Sequence, residues 1–229
     1  MSAAPPIEEE RPGLVGFVLD ALAGLYGVPE WAPRRDPTDE LVLTILSQHT
    51  SDLNAERAFG DLRRRFPTWD EVMAAPQEGV AAAIVSGGLA VQKAPRIQHA
   101  LRRIRAERGN VDLAFLADLD PRDARAWLTR LDGVGPKTAS VVLLFCFGLP
   151  LMPVDTHVHR VTGRIGLIPP GTTADRAHDL ALEILPLDRV YEAHVNLITH
   201  GRRTCTARRP ACDRCPVAPR CRHLDPRAP

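Results

Sequence analysis

The chain has 229 residues, 45% of them apolar and 25% charged, which is ordinary globular composition and enough for one sizeable core or two small lobes. No apolar run is long enough to cross a bilayer, and the opening MSAAPPIEEERPG lacks the basic start and apolar stretch of a signal peptide, so no membrane association is expected and the chain reads as cytoplasmic, nucleoid-associated if prokaryotic. A net charge of +1 excludes a global electrostatic case for nucleic acid, but residues 201–229 carry eight arginines against Asp213 and Asp225, a net of +6 that attracts a phosphate backbone.

In chain order, residues 1–12 read as a disordered leader. Residues 13–26 space their apolar positions for a helix, and Thr38 reads as the cap of a run through Leu41, Leu43, Ile45 and Leu46. Ser51 and Asp52 start another helix ending near Phe66, and Thr68-Trp69-Asp70-Glu71 has the pattern of a capping box. Further helices are expected at about residues 78–86, 92–108, 121–131 (capped by Asp120), 136–147, 156–165, 173–185 and 191–203. The apolar run Val141 to Phe147 resembles a buried strand, yet no other segment alternates as a partner strand must. Joined to residues 137–140 it has the length of a buried helix, closed by Gly148. The expected fold class is all-α.

Only two of the 29 basic residues are lysines, and one of them, Lys137, stands in Leu131-Asp132-Gly133-Val134-Gly135-Pro136-Lys137-Thr138-Ala139. Arginine stays protonated and cannot attack a carbon, whereas a lysine amine can. In so arginine-rich a chain, the position looks chosen for chemistry. The glycines permit a tight turn and Pro136 suits a first helical position, so the segment reads as helix, Gly-rich hairpin, helix. Amides at such a turn can donate to a phosphate oxygen without reading base sequence. An amine at the helix start meets the positive end of the dipole, which favours its reactive free form.

Four of the five cysteines lie near the C-terminus, Cys205-x6-Cys212-x2-Cys215-x5-Cys221. In an intracellular chain this clustering argues for a metal centre rather than disulfides. Spacing alone leaves iron-sulfur and zinc open: zinc sites usually show two close pairs, and ferredoxin spacing is absent too. Arginines 208, 209 and 214 between the cysteines would turn such a loop into a rigid cationic knob, with the metal structural. Cys146, alone on an apolar helix, reads as a small buried hydrophobe.

Downstream of Lys137 comes Pro153-Val154-Asp155-Thr156-His157-Val158-His159-Arg160. Asp155 is a good helix N-cap, and a carboxylate held there could also stabilise a cationic sugar or accept a proton. The hairpin, the VDTHVHRV segment and the four-cysteine terminus together resemble endonuclease III, of the helix-hairpin-helix DNA glycosylase superfamily, over roughly residues 36 to 222. The resemblance implies two lobes: residues 36–149 as a six-helix barrel carrying the hairpin, and residues 13–35 with 150–229 as a helical lobe ending in the cluster loop, with a DNA groove between them. It implies a [4Fe-4S] cluster on Cys205, Cys212, Cys215 and Cys221. The implied partner is double-stranded DNA containing damaged bases or abasic sites, bound by a monomer.

The same resemblance implies roles. Lys137 would attack C1′ of a flipped nucleotide and form a Schiff base that undergoes β-elimination, with Asp155 deprotonating it or stabilising the sugar. Gly133, Val134 and Gly135 would hold the DNA backbone. Leu89 in Gly87-Gly88-Leu89-Ala90 would be a wedge, and Gln48 and His49 would lie on the DNA side, His49 standing where a glutamine is common. Pro136 replaces a residue often basic in the family and His159 one often apolar or aromatic, departures that bear on lesion range. The expected activity is a bifunctional glycosylase and abasic-site lyase acting on oxidised pyrimidines. The alternatives are a monofunctional mismatch glycosylase, a noncatalytic DNA-binding iron-sulfur module and an electron carrier. With eight residues after Cys221, the extra C-terminal domain of adenine-specific relatives is not expected.

Overall fold

The structure is a computed structural model that describes residues 6–225, and among these every regular element is helical. Residues 1–5 of the expected disordered leader lie outside the described residues. The rest of that segment departs from the expectation: Pro6–Glu10 form a short helix, α1, ahead of α2 (Leu14–Tyr26). Ile7 is buried, and Arg11 is buried with it, donating through Nη1 to the Ile165 carbonyl at 2.7 Å and through Nη2 to that of Arg220. Guanidinium contacts anchor this segment, from Arg11 and also from Arg220 to the Pro12 carbonyl at 2.9 Å, which is why no apolar stripe announced it.

The chain divides into two compact units, Ala32–Leu149 and a second made of the described residues up to Trp31 with those from Pro150 onward. The first holds α3 (Pro37–Ser47), α4 (Asp52–Arg65), α5 (Trp69–Ala74), α6 (Gln77–Ala83), α7 (Ala90–Arg108), α8 (Pro121–Thr129) and α9 (Pro136–Phe147). Asp36, not Thr38, caps α3, accepting from the amides of Thr38 at 2.9 Å and Asp39 at 3.2 Å. Pro37 fixes the first helical position, so the Thr38 hydroxyl is free to reach the Val111 carbonyl at 2.5 Å. The Thr68–Glu71 capping box is present in both directions, at 3.2 and 3.0 Å. In place of one helix over 78–86, α6 gives way to a 3-10 turn at Val85–Gly87.

Helix α9 is the axis of this unit. It packs against α3 and α8, its residues 138–144 are all buried, and it closes at Gly148 with φ +68°. A helix covered on all sides must be apolar on all sides, hence the strand-like run of seven apolar residues. Burial of each Val or Leu there contributes about 1.5–3 kcal/mol.

The second unit builds on α12 (Val190–Arg203), which packs against α2 and against α10 (Thr156–Ile165), with α11 (Ala174–Ile184) alongside α10. The hydroxyl of Tyr26 joins α2 to the end of α12, 3.1 Å from His200 Nδ1 and 2.9 Å from the Thr204 hydroxyl. Two 3-10 turns, Cys212–Arg214 and Ala218–Arg220, shape the loop that follows.

Candidate active site and cluster loop

Asp120 caps α8, the helix stops at Thr129, and the hairpin returns the chain into α9 with Gly135 as N-cap, Pro136 first and Lys137 second. Gly133 adopts φ +79°, and a Cβ there would sit 2.8 Å from Arg96 Cδ, so both conformation and space require glycine. Val134 turns its side chain into the core, and its amide donates to the Leu131 carbonyl at 3.1 Å. The outward face of the hairpin is thus the amides of Gly133 and Gly135, exposed and without a partner among the described residues, while Val134 holds the turn from within. Lys137 is half-buried, and its side chain makes no hydrogen bond or ion pair with any described residue.

Gln48, the C-cap of α3, donates from Nε2 to the Gly133 carbonyl at 2.9 Å, and Thr138 Oγ1 lies 3.4 Å from the same nitrogen. The side chain thus grips the hairpin rather than standing free. His49 and Leu89 are the two non-glycine residues with positive φ among those described, +57° and +50°. Each is exposed, Leu89 by 45%. A left-handed conformation costs a side-chain-bearing residue about 1–2 kcal/mol, so two such residues, both presented to solvent, mark a place where presentation outweighs stability.

Asp155 caps α10, its Oδ1 accepting from the Val158 amide at 2.7 Å. It belongs to the unit that carries the cysteines, and Lys137 to the other. His159 is occupied, its Nε2 2.8 Å from the Thr172 carbonyl.

The four C-terminal cysteines are free thiols that line a single pocket with Arg164, His200 and Val217 among its other walls. Burial pushes the Cys215 and Cys221 thiols up, and the neighbouring sulfurs of the group add to the rise. Cys205, Cys212, Cys215 and Cys221 all face this one pocket, so they can supply one thiolate to each iron of a four-iron cluster. The residues present fit the [4Fe-4S] cluster.

Sequence reading missed the residues that hold this loop in place. Arg164 donates to the carbonyls of Thr206 and Ala207, both at 2.8 Å, and Arg160 to those of Gly201 at 2.8 Å and Cys205 at 3.1 Å. His200 Nε2 stands 3.5 Å from the Cys215 sulfur, and burial lowers its pKa to about 4, so the ring is neutral. The spacing of Arg160 and Arg164, four apart on one helix face, was the available signal. Cys146 is buried on α9, and burial pushes its thiol up to about 12, as suits a small hydrophobe.

Residues 42–186 match the family model described as HhH-GPD superfamily base excision DNA repair protein, and residues 205–221 match the iron-sulfur binding domain of endonuclease III. The first match spans more than half of the chain, and with the hairpin and the cysteine pocket it defines a base-excision DNA glycosylase of the helix-hairpin-helix class, with a [4Fe-4S] cluster. Endonuclease III of Rickettsia conorii is 39% identical over 181 residues, covering 79% of this chain and 81% of that protein. Endonuclease III of Escherichia coli K12 is 34% identical over 189 residues, 82% of this chain and 85% of that one. The chain spans 56% of a longer relative from Arabidopsis thaliana, with 36% identity over 164 residues. A solved trapped endonuclease III-DNA covalent intermediate superposes with a TM-score of 0.78 at 30% identity, over 93% of this chain and 96% of that one. The chain belongs to the endonuclease III family. A thermostable thymine-DNA glycosylase, 21% identical with a TM-score of 0.72, shares the fold.

Proposed function

We propose that this protein is a bifunctional DNA glycosylase and abasic-site lyase that removes oxidised pyrimidines from double-stranded DNA as a monomer. The observation that carries the reading is Lys137, a lysine with no structural partner at the mouth of a Gly-rich hairpin in an arginine-dominated chain. Its relative trapped as a covalent DNA intermediate supports the same chemistry.

The anomeric carbon is unreachable inside the base stack, so the damaged nucleotide must first be extruded. The amides of Gly133 and Gly135 hold a phosphate of the strand, and Leu89 and His49 fill the vacated space. Lys137 Nζ then attacks C1′, the bond from C1′ to the base nitrogen breaks, and the base leaves with that electron pair and takes up a proton. Ring opening yields an iminium between Nζ and C1′. Loss of a C2′ proton drives β-elimination, which breaks the bond from C3′ to its oxygen, and water releases the lysine from the remaining aldehyde. Asp155 accepts the proton that Lys137 must lose, or stabilises the cationic sugar as the base departs. The cluster stays outside this sequence and keeps the cationic C-terminal loop rigid.

The test is a set of duplexes holding thymine glycol, 5-hydroxycytosine, uracil, mismatched thymine or an abasic site. The first two and the last should be cut to β-elimination ends, with uracil and mismatched thymine left intact. Base release from mismatched thymine without strand cleavage would replace this reading with a monofunctional one.

A further inference from the structure

The second lysine of the chain, Lys93, lies on α7 and is 1% exposed. Its Nζ donates to two backbone carbonyls, Leu46 at 2.6 Å and Gly87 at 2.8 Å. Neither carbonyl takes a backbone amide from the described residues, because the chain leaves helical geometry immediately afterwards. Leu46 precedes the C-cap of α3 and is three residues from His49. Gly87 ends the 3-10 turn and is two residues from Leu89. One amine therefore caps the C-terminal ends of both elements that lead into the two left-handed residues.

No anion among the described residues of the surrounding core balances this cation, whose partners are the two carbonyls. No carboxylate of the described residues pairs with it, and burial, then Arg96, lowers its pKa. A methionine would fill the same volume without the cost of burying a charged group, but it would leave the Leu46 and Gly87 carbonyls unpaired. The Gly87 loop also has no slack, since a Cβ on Gly87 would lie 3.0 Å from Ala58 Cβ.

We infer that Lys93 is a positioning residue for base extrusion: by holding the Leu46 and Gly87 carbonyls together, it sets the spacing at which His49 and Leu89 enter the strand as one unit. This rests on the reading of His49 and Leu89 as the residues that fill the vacated space. The amine acts through those two side chains and touches no reacting atom. It is a lever on specificity, because a loosened pair loses most on lesions that must be pulled from a stacked helix.

The test uses the cluster-loaded protein and a thymine-glycol duplex with 2-aminopurine beside the lesion, whose fluorescence rises as the strand opens. Lys93→Met should retain helical circular dichroism and cluster absorbance and bind undamaged duplex within about twofold of wild type, yet open the lesion duplex about 100-fold more slowly. His49→Ala and Leu89→Ala should slow opening as well. If these two open DNA like wild type, the reading of the pair fails. If they slow opening and Lys93→Met does not, the clamp is overturned while the pair stands. Should Lys93→Met not fold, isotopic labelling of the two lysines in the wild-type protein decides the question by magnetic resonance. The Lys93 amine protons should resist solvent exchange and those of Lys137 should not, and equal, fast exchange at both would overturn the clamp.

Discussion

Gln48 and Gly133, 85 residues apart, are joined by a hydrogen bond of 2.9 Å from the glutamine Nε2 to the glycine carbonyl oxygen. The bond ties the end of α3, from which His49 projects, to the hairpin that presents Lys137. The residues proposed to open the strand and to attack the sugar are thus mechanically linked within one unit.

Cutting that link should cost activity more than stability. Gln48→Ala removes the bond to Gly133 and the longer one to Thr138, together worth about 1 kcal/mol at this partly exposed place, and should lower Tm by about 2–4 °C. Single-turnover base release should fall by about tenfold or more, because a misplaced nucleophile is penalised steeply. Differential scanning calorimetry beside quenched-flow kinetics checks both. A large loss of Tm with unchanged kinetics would assign Gln48 to folding alone.

Gly133→Ala meets two obstacles together, φ +79° and an Arg96 side chain 2.8 Å from the new Cβ. The left-handed conformation alone costs about 1–2 kcal/mol. The hairpin should distort, and affinity for undamaged duplex should fall with a shallower salt dependence as a backbone contact is lost. Fluorescence anisotropy titrations at several salt concentrations measure this, and unchanged affinity would remove the hairpin from the DNA contact.

Much of this site was legible in the sequence because its signals are local. The hairpin glycines, Pro136 and Lys137 stand within a few residues of one another, the Thr68–Glu71 box is four residues long, and the cysteine spacing is self-contained. The left-handed His49 and Leu89 were not legible as such, since no glycine marks either position. Lys93 is as rare as Lys137 by composition, yet its partners are main-chain carbonyls 47 and 6 residues away, which no pattern of side chains reports. Helix α1 was hidden for a similar reason: Arg11 reaches a carbonyl 154 residues away.

Glu40 gives a pH test. It is buried against Arg34 and Arg35, and burial raises its carboxyl above the ordinary 4.5 despite both arginines. Its ionised form therefore burdens the fold, and the burden disappears as pH falls through the raised value toward 4.5. Glu40→Gln should be more stable than wild type at neutral pH, with the gap narrowing on acidification. Thermal unfolding across that range reports it, and a gap that widens in acid would contradict the assignment.

The cluster loop depends on Arg164 as well as on the thiols. Cys212→Ser should abolish the visible iron-sulfur absorbance. Arg164→Ala should keep the absorbance but bleach faster under a chelator, as two 2.8 Å anchors to Thr206 and Ala207 are gone. Equal bleaching rates would show that the loop needs no such anchor, and a colourless zinc-loaded wild type would overturn the cluster.

Borohydride trapping tests the central claim most directly, because only an iminium between protein and sugar is reduced to a stable link. Cluster-loaded wild type with abasic or thymine-glycol duplex should give a covalent adduct that maps to Lys137, and Lys137→Arg should bind DNA and give none. Base release by the wild type without an adduct, or an adduct that survives Lys137→Arg, would contradict the account.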